Sequence, residues 1–156
     1  MKRNLWCAIV ALLCVLLTAC TAGNQNSTPK AADDVAQAIE AGQVFEELTP
    51  LSVKQALRYL DFDEKSITDI AFYMDASRAT AEMIAVLTAA NPEALTLTQG
   101  ALLAYLDAMT EQYRDYQPAE LPKLENAIRK TKGLQTVLIV SKDAQAAALS
   151  LDAIWK

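Results

Sequence analysis

Behind a short positive head, Met1-Lys2-Arg3-Asn4, the chain runs apolar from Leu5 to Leu17 (LWCAIVALLCVLL). No polar position interrupts this run, so it does not read as the amphipathic helix of a globular core. Thirteen residues at ~1.5 Å each extend about 20 Å, short of the ~30 Å hydrocarbon layer that a spanning helix must cross. A charged head, an apolar stretch and a small-residue exit at Thr18-Ala19-Cys20 are the plan of a secretory signal. The next stretch, TAGNQNSTPKAA from Thr21 to Ala32, is polar and contains Gly and Pro, which predicts a flexible tether.

Beyond the tether the hydrophobic positions follow two periods. Val35 and Ile39 share one face of a helix predicted over Asp34–Ala41, with Gly42 as its stop. Ser52-Val53-Lys54-Gln55 is a capping box, and Val53, Ala56, Leu57 and Leu60 form the apolar stripe behind it. The period then shortens to two. Ile70, Phe72 and Met74 alternate with Ala71 and Tyr73, and Thr80 to Leu87 supplies a second apolar run after the turn-like Asp75-Ala76-Ser77-Arg78. This predicts an antiparallel hairpin.

The clearest helix follows, with Asn91 as cap, Pro92 at the first position and Glu93 complementing the dipole. Leu95, Leu102, Leu106, Met109 and Tyr113 lie on one face, and Gly100 weakens the middle. A further helix is predicted from Pro122, with Leu121, Leu124 and Ile128 inward, Arg129, Lys130 and Lys132 at its end and Gly133 as its stop. TVLIV, Thr136 to Val140, reads as a central strand. Ser141 or Asp143 then caps a last helix carrying Ala147, Leu151, Ile154 and Trp155. The expectation is a small α+β domain of about three strands, an antiparallel hairpin plus a central strand, covered by four or five helices. The divisions are a signal peptide at 1–19, a tether at 20–32 and one domain at 33–156.

Composition narrows the chemistry. The whole chain carries 14 basic and 19 acidic residues and has no histidine. Loss of Lys2 and Arg3 with the signal leaves 12 against 19, a formal charge of −7. Such a body has no general attraction for nucleic acid or for anionic lipid. Cys7 and Cys14 fall in the signal, so Cys20 is the last cysteine remaining. Without histidine and free thiol, Cys–His and Ser–His–Asp sites and the usual zinc sites are excluded. No metal ligand set, cofactor site or catalytic residue is expected from the sequence.

Two resemblances add to this reading. Leu17-Thr18-Ala19-Cys20 resembles the lipobox of bacterial lipoproteins. It implies cleavage between Ala19 and Cys20 and attachment of a diacylglyceryl, palmitate-type anchor to the Cys20 thiol. Two acyl chains suffice for stable attachment where one binds only marginally. The mature part is similar to an uncharacterised domain-of-unknown-function family of predicted lipoproteins from low-GC Gram-positive bacteria. The carriers are AEMIAV (Ala81 to Val86), YQPAELPKLENAI (Tyr116 to Ile128), and Gly133 followed by TVLIVSKDAQAA. The family often has a glycine before AEMIAV, where this chain has Arg78-Ala79. The resemblance implies a location outside the cytoplasm and no particular activity.

Among candidate sites, Glu82 lies in an apolar strand, where it is either an acid or ligand contact or, by preference, an outward or ion-paired residue. Tyr105, Tyr113 and Tyr116 would line a carbohydrate or peptide groove, or form a core edge with hydroxyls reaching water. Arg129, Lys130 and Lys132 would meet lipid headgroups or a wall polymer, or simply favour a helix C-terminus. Asp61-Phe62-Asp63-Glu64 opens like a calcium loop but has Lys65 and Ser66 where ligand and glycine belong. The expectation is a lipid-anchored extracytoplasmic binding or interaction module with an envelope protein or polymer as partner. The alternatives are a carboxylate-based hydrolase of envelope polymers and a solute-binding receptor.

Overall fold

The two segments that are apolar at nearly every position pair with each other, and the remaining elements arrange themselves around that pair. The computed structural model describes residues 28–42 and 45–156. In chain order the elements are α1 (Ala32–Glu40), β1 (Thr49–Pro50), α2 (Val53–Ala56), β2 (Ile67–Met74), β3 (Met83–Ala89), α3 (Pro92–Tyr116), α4 (Leu121–Glu125), β4 (Ile128–Lys132), β5 (Gln135–Val140) and α5 (Ala144–Ile154). The strands form one antiparallel sheet in the order β1-β2-β3-β5-β4.

Every residue of β3 and β5 is buried. Successive side chains of a strand point to opposite faces, so both faces must be covered. On one face α1 and α5 pack over Ile84, Val86, Val137 and Ile139. On the other, Leu102, Leu106, Met109 and Tyr113 of α3, with Leu124 of α4, cover Met83, Ala85, Leu87 and Leu138. Sheets covered on both faces are usually parallel, and antiparallel ones often keep one face wet. Here the sheet is antiparallel and its centre is dry on both sides.

Local chemistry explains the helices. Ala32, Val35, Ala36 and Ile39 recur at helical spacing and all face the sheet. Asp33 and Asp34 complement the dipole at the start of α1. The Ala32 N–H donates to the Asp69 carboxylate of β2 at 2.7 Å, a cap supplied from across the fold. Asn91 accepts from the Ala94 N–H at 2.8 Å, with Pro92 at the first turn of α3, as the sequence suggests.

The antiparallel pairing of β2 with β3 also agrees with the sequence. The strand number does not: the sheet has five strands rather than about three, within the same α+β class. Ile128–Lys132 is the strand β4, not the end of a helix, and the helix before it is only Leu121–Glu125. Lys132 pairs with Gln135 across the two-residue turn Gly133-Leu134. Gly133 has φ +59°, which a two-residue hairpin turn takes readily from glycine. It therefore closes a hairpin and does not stop a helix. The other added strand, β1, is two residues long. Both edges are blunted, one by its shortness and Pro50, the other by Arg129, Lys130 and Lys132.

Gly100 sits exposed within the 25-residue α3, and a methyl group added there meets nothing within 4 Å. Replacing an exposed helical glycine by alanine removes an entropic cost of ~1 kcal/mol. Gly100→Ala is expected to raise the unfolding free energy by about that amount, read from the midpoint of urea denaturation at unchanged slope.

Candidate functional site: two ends of the sheet

The register places polar chemistry at both ends of the central strands. Met83 opposes Val140 at one end, and Thr88 opposes Gln135 at the other.

At the first end lies the loop joining β2 to β3. Asp75 organises it, accepting from the Ser77 and Thr80 N–H groups at 2.8 Å each. Burial would raise this carboxyl, but those bonds and the two hydroxyls hold it below its ordinary range. Arg78 takes φ +58°, a conformation in which a side chain is costly and glycine is not. The Arg78 guanidinium lies 5.3 Å from the centre of the Tyr59 ring.

Glu82 follows this loop and is 1% exposed. It does not face outward. Its Oε1 accepts from Lys123 Nζ at 3.1 Å and its Oε2 from the Glu46 N–H at 2.7 Å. Lys123 also reaches Glu120 Oε2 at 2.9 Å, and that same oxygen accepts from the Ala81 N–H at 2.8 Å. Burial would depress the Lys123 ammonium, but Glu120 and Glu82 outweigh it and hold it above its ordinary value. The arrangement ties α4, the residue before α4 and the Glu46 segment to the start of β3. Its two carboxylates are engaged by a cation and by backbone donors, so the ion-paired reading of Glu82 fits and the free-acid reading does not. The spacing of Glu120 and Lys123, one helical turn apart, was visible in the sequence; their meeting with Glu82 was not. Beside Lys123, a small cavity of about 290 Å³ is lined by Ser141 and the start of α5. Ser141 is 4% exposed, and its hydroxyl has no hydrogen-bond partner among the described residues.

Of the three tyrosines, Tyr113 and Tyr116 meet edge to face with ring centres 6.4 Å apart, and Tyr105 packs with other rings. Tyr113 is buried and its hydroxyl donates to the Thr80 carbonyl at 2.5 Å, not to water. Tyr105 packs against Tyr59 and Phe72, each ring centre 5.8 Å away, and burial pushes its phenol up to about 12. Tyr116 is 69% exposed. Asp63 accepts from the Lys65 N–H at 3.0 Å, so the calcium-like stretch is a turn with its own cap.

At the opposite end a cleft of about 860 Å³ opens between the β4–β5 turn, the start of α3, the segment before α1 and the last residues of the chain. Lys30, Lys132 and Lys156 line it, with Leu95, Leu134 and Trp155 among the apolar walls. Among the described residues its lining includes no Asp or Glu side chain. Buried Gln135 builds the floor. Its amide donates to the Lys30 carbonyl at 2.8 Å and to Thr88 Oγ1 at 3.1 Å, and its oxygen accepts from Trp155 Nε1 at 2.9 Å. Lys132 Nζ donates to the Trp155 carbonyl. One glutamine thus fixes the incoming segment and the tryptophan together. Of the basic trio noticed in the sequence, Lys132 lines this cleft, Lys130 pairs with Asp152 at 2.6 Å, and Arg129 is exposed on the edge strand. Cys20 and Ala19 lie outside the described residues.

Removing Lys123 would leave two carboxylates in a buried setting without their cation. Lys123→Ala is expected to cost ~3–5 kcal/mol in urea denaturation, and adding Glu82→Gln to that variant recovers part of the loss. Position 78 separates backbone from side chain: Arg78→Gly and Arg78→Ala both delete the guanidinium, and the glycine variant is expected to be more stable by ~1 kcal/mol. Equal stability of the two would show that φ +58° stores no strain.

Comparison with curated proteins and with solved structures gives no match. A family model does match, over residues 40–141, which takes in the whole sheet, α2, α3, α4 and the engaged Glu82–Lys123 pair. The chain belongs to the domain-of-unknown-function family DUF4358.

Proposed function

We propose that this protein is a lipid-anchored, extracytoplasmic binding module of the cell envelope, one of a family of lipoproteins of low-GC Gram-positive bacteria. Cys20 is its point of attachment and Ala19–Cys20 its cleavage site. The lipobox-like Leu17-Thr18-Ala19-Cys20 after a charged head and a short apolar run supports the anchor. No helix among the described residues is long and apolar enough to cross a membrane.

The observation that carries the binding role is the cleft above Gln135. Apolar walls and lysine ammonium groups hold a ligand by burial and charge. A carboxylate-based hydrolase needs free acid groups beside its substrate. The two buried glutamates that converge, Glu82 and Glu120, are instead engaged by Lys123 and by backbone N–H groups. A solute-binding receptor would use the same cleft, and differs from the proposed module only in handing its ligand onward.

Expression of the full chain in a Gram-positive host tests the anchor. The mature protein is expected in the membrane fraction, starting at Cys20 with a diacylglyceryl adduct by mass spectrometry. Cys20→Ser is expected to lose the adduct and release the protein from membranes. An intact Met1 terminus without an adduct on the membrane-bound protein would refute the proposal.

A further inference from the structure

We infer that the cleft above Gln135 binds the headgroup of an anionic phospholipid in the membrane to which the protein is attached. The inference rests on the lipid-anchored reading and adds to it a ligand class and an orientation.

Three observations converge on it. The first is charge. The chain is acidic overall, with a net charge of −5, yet this cleft gathers Lys30, Lys132 and Lys156 and no carboxylate side chain. At an ionic strength near 0.15 M the screening length is ~8 Å. A ligand inside the cleft therefore responds more strongly to these ammonium groups than to acidic side chains outside the lining. The second is amphipathy. Leu95, Leu134 and the Trp155 ring give the cleft apolar walls beside its cations. A phosphodiester next to the first carbons of acyl chains complements both kinds of wall, and tryptophan favours the headgroup level of a bilayer.

The third is reach. Thr28, on the cleft wall, follows Cys20 by eight positions. A chain extends at most ~3.6 Å per residue, so the cleft wall lies within about 29 Å of the lipid-bearing sulfur whatever path the chain takes. The wall that includes Thr28, Pro29 and Lys30 is also the one that Gln135 clamps through the Lys30 carbonyl. The chain thus enters the described fold at the cleft wall, and on this inference the cleft end of the sheet is the end that meets the membrane. The Glu82–Lys123–Glu120 end, six register pairs away along β3 and β5, faces away from it.

Tryptophan supplies the test, because the chain has only Trp6 and Trp155. Trp6→Phe leaves Trp155 as the sole reporter whether or not the leader is removed. The full chain carrying that change is reconstituted into nanodiscs of phosphatidylcholine alone or with added phosphatidylglycerol. With phosphatidylglycerol, Trp155 emission is expected to shift to the blue and its quenching by acrylamide to fall severalfold; raised salt should reverse both. Lys30 and Lys156 are exposed and their side chains make no hydrogen bond among the described residues. The double variant Lys30→Gln/Lys156→Gln should therefore fold and lose most of the response, while Arg58→Gln, outside the cleft lining, retains it. Identical Trp155 signals in the two lipids, or a full response in the double variant, would overturn the inference. So would inorganic phosphate reproducing the signal in phosphatidylcholine discs, which would make the ligand a free anion. Mass spectrometry of the same preparation scores the Cys20 adduct separately. An absent adduct with a lipid-dependent Trp155 defeats the anchor alone, and a present adduct with a silent Trp155 defeats this inference alone.

Discussion

The pairing of β3 with β5 is the constraint from which the rest of the architecture follows. Six consecutive register pairs, from Met83–Val140 to Thr88–Gln135, join two strands buried along their whole length. Fully burying an aliphatic side chain stabilises by ~1.5–3 kcal/mol, and these strands present Ile, Val, Leu and Met to both faces. Neither face can therefore stay wet. The helices α1 and α5 are drawn to one side, and α3 with α4 to the other. The two edges, β1 and β4, need only complete the hydrogen bonding and shed the risk of pairing with another chain.

That constraint also sets where polar chemistry can sit. With the centre dry, polar groups collect at the strand ends, and the two ends solve the problem differently. At the Met83 end the charges are buried and paired: two carboxylates share the single Lys123 ammonium, and each also accepts from a backbone N–H. Such a cluster stabilises little relative to an apolar one, and breaking it is costly. Its effect is positional: it locks the Asp75–Glu82 loop, the Glu46 segment and α4 into one arrangement. At the Gln135 end the buried amide is satisfied within the fold, Lys132 is held by the Trp155 carbonyl, and Lys30 and Lys156 are left facing solvent. One end holds itself together, and the other remains open for a ligand.

Much of the fold was legible because local signals and tertiary demands agree. The Asn91-Pro92 start of α3, the Val35/Ile39 face of α1 and the Ile70–Met74 alternation all describe surfaces that the core then uses. β4 was illegible for a physical reason. As an edge strand it buries little, and its Ile-Arg-Lys-Thr-Lys composition is that of a basic helix end followed by glycine. Only its partner, β5, makes it a strand. Misreading β4 hid the cleft as well, since the β4–β5 turn is one of its walls. Glu82 was recognisable as unusual from its apolar neighbours, but its partners Lys123 and Glu46 lie about 40 residues away on either side and carry no linear signal. Lys30 and Lys156 are further apart still, and line the same cleft where Gln135 fastens both the Lys30 carbonyl and Trp155.

The placement of charge has a consequence beyond the cleft itself. A body of net negative charge held near an anionic surface is repelled by it, but only within roughly a screening length of ~8–10 Å. A tether alone would let such a body turn freely, with its acidic faces kept away and no single face preferred. With the proposed anchor, lysines grouped at the end where the chain enters the fold change this, because attraction then acts at the end nearest the anchor while the net acidic remainder is repelled. The two forces then act as a torque with one stable direction. In the orientation we propose, the strands stand with the Gln135 end toward the surface and the Glu82 end toward the exterior. In that proposed orientation the closed end, its charged groups held within the fold, faces outward, and the open end lies against its ligand.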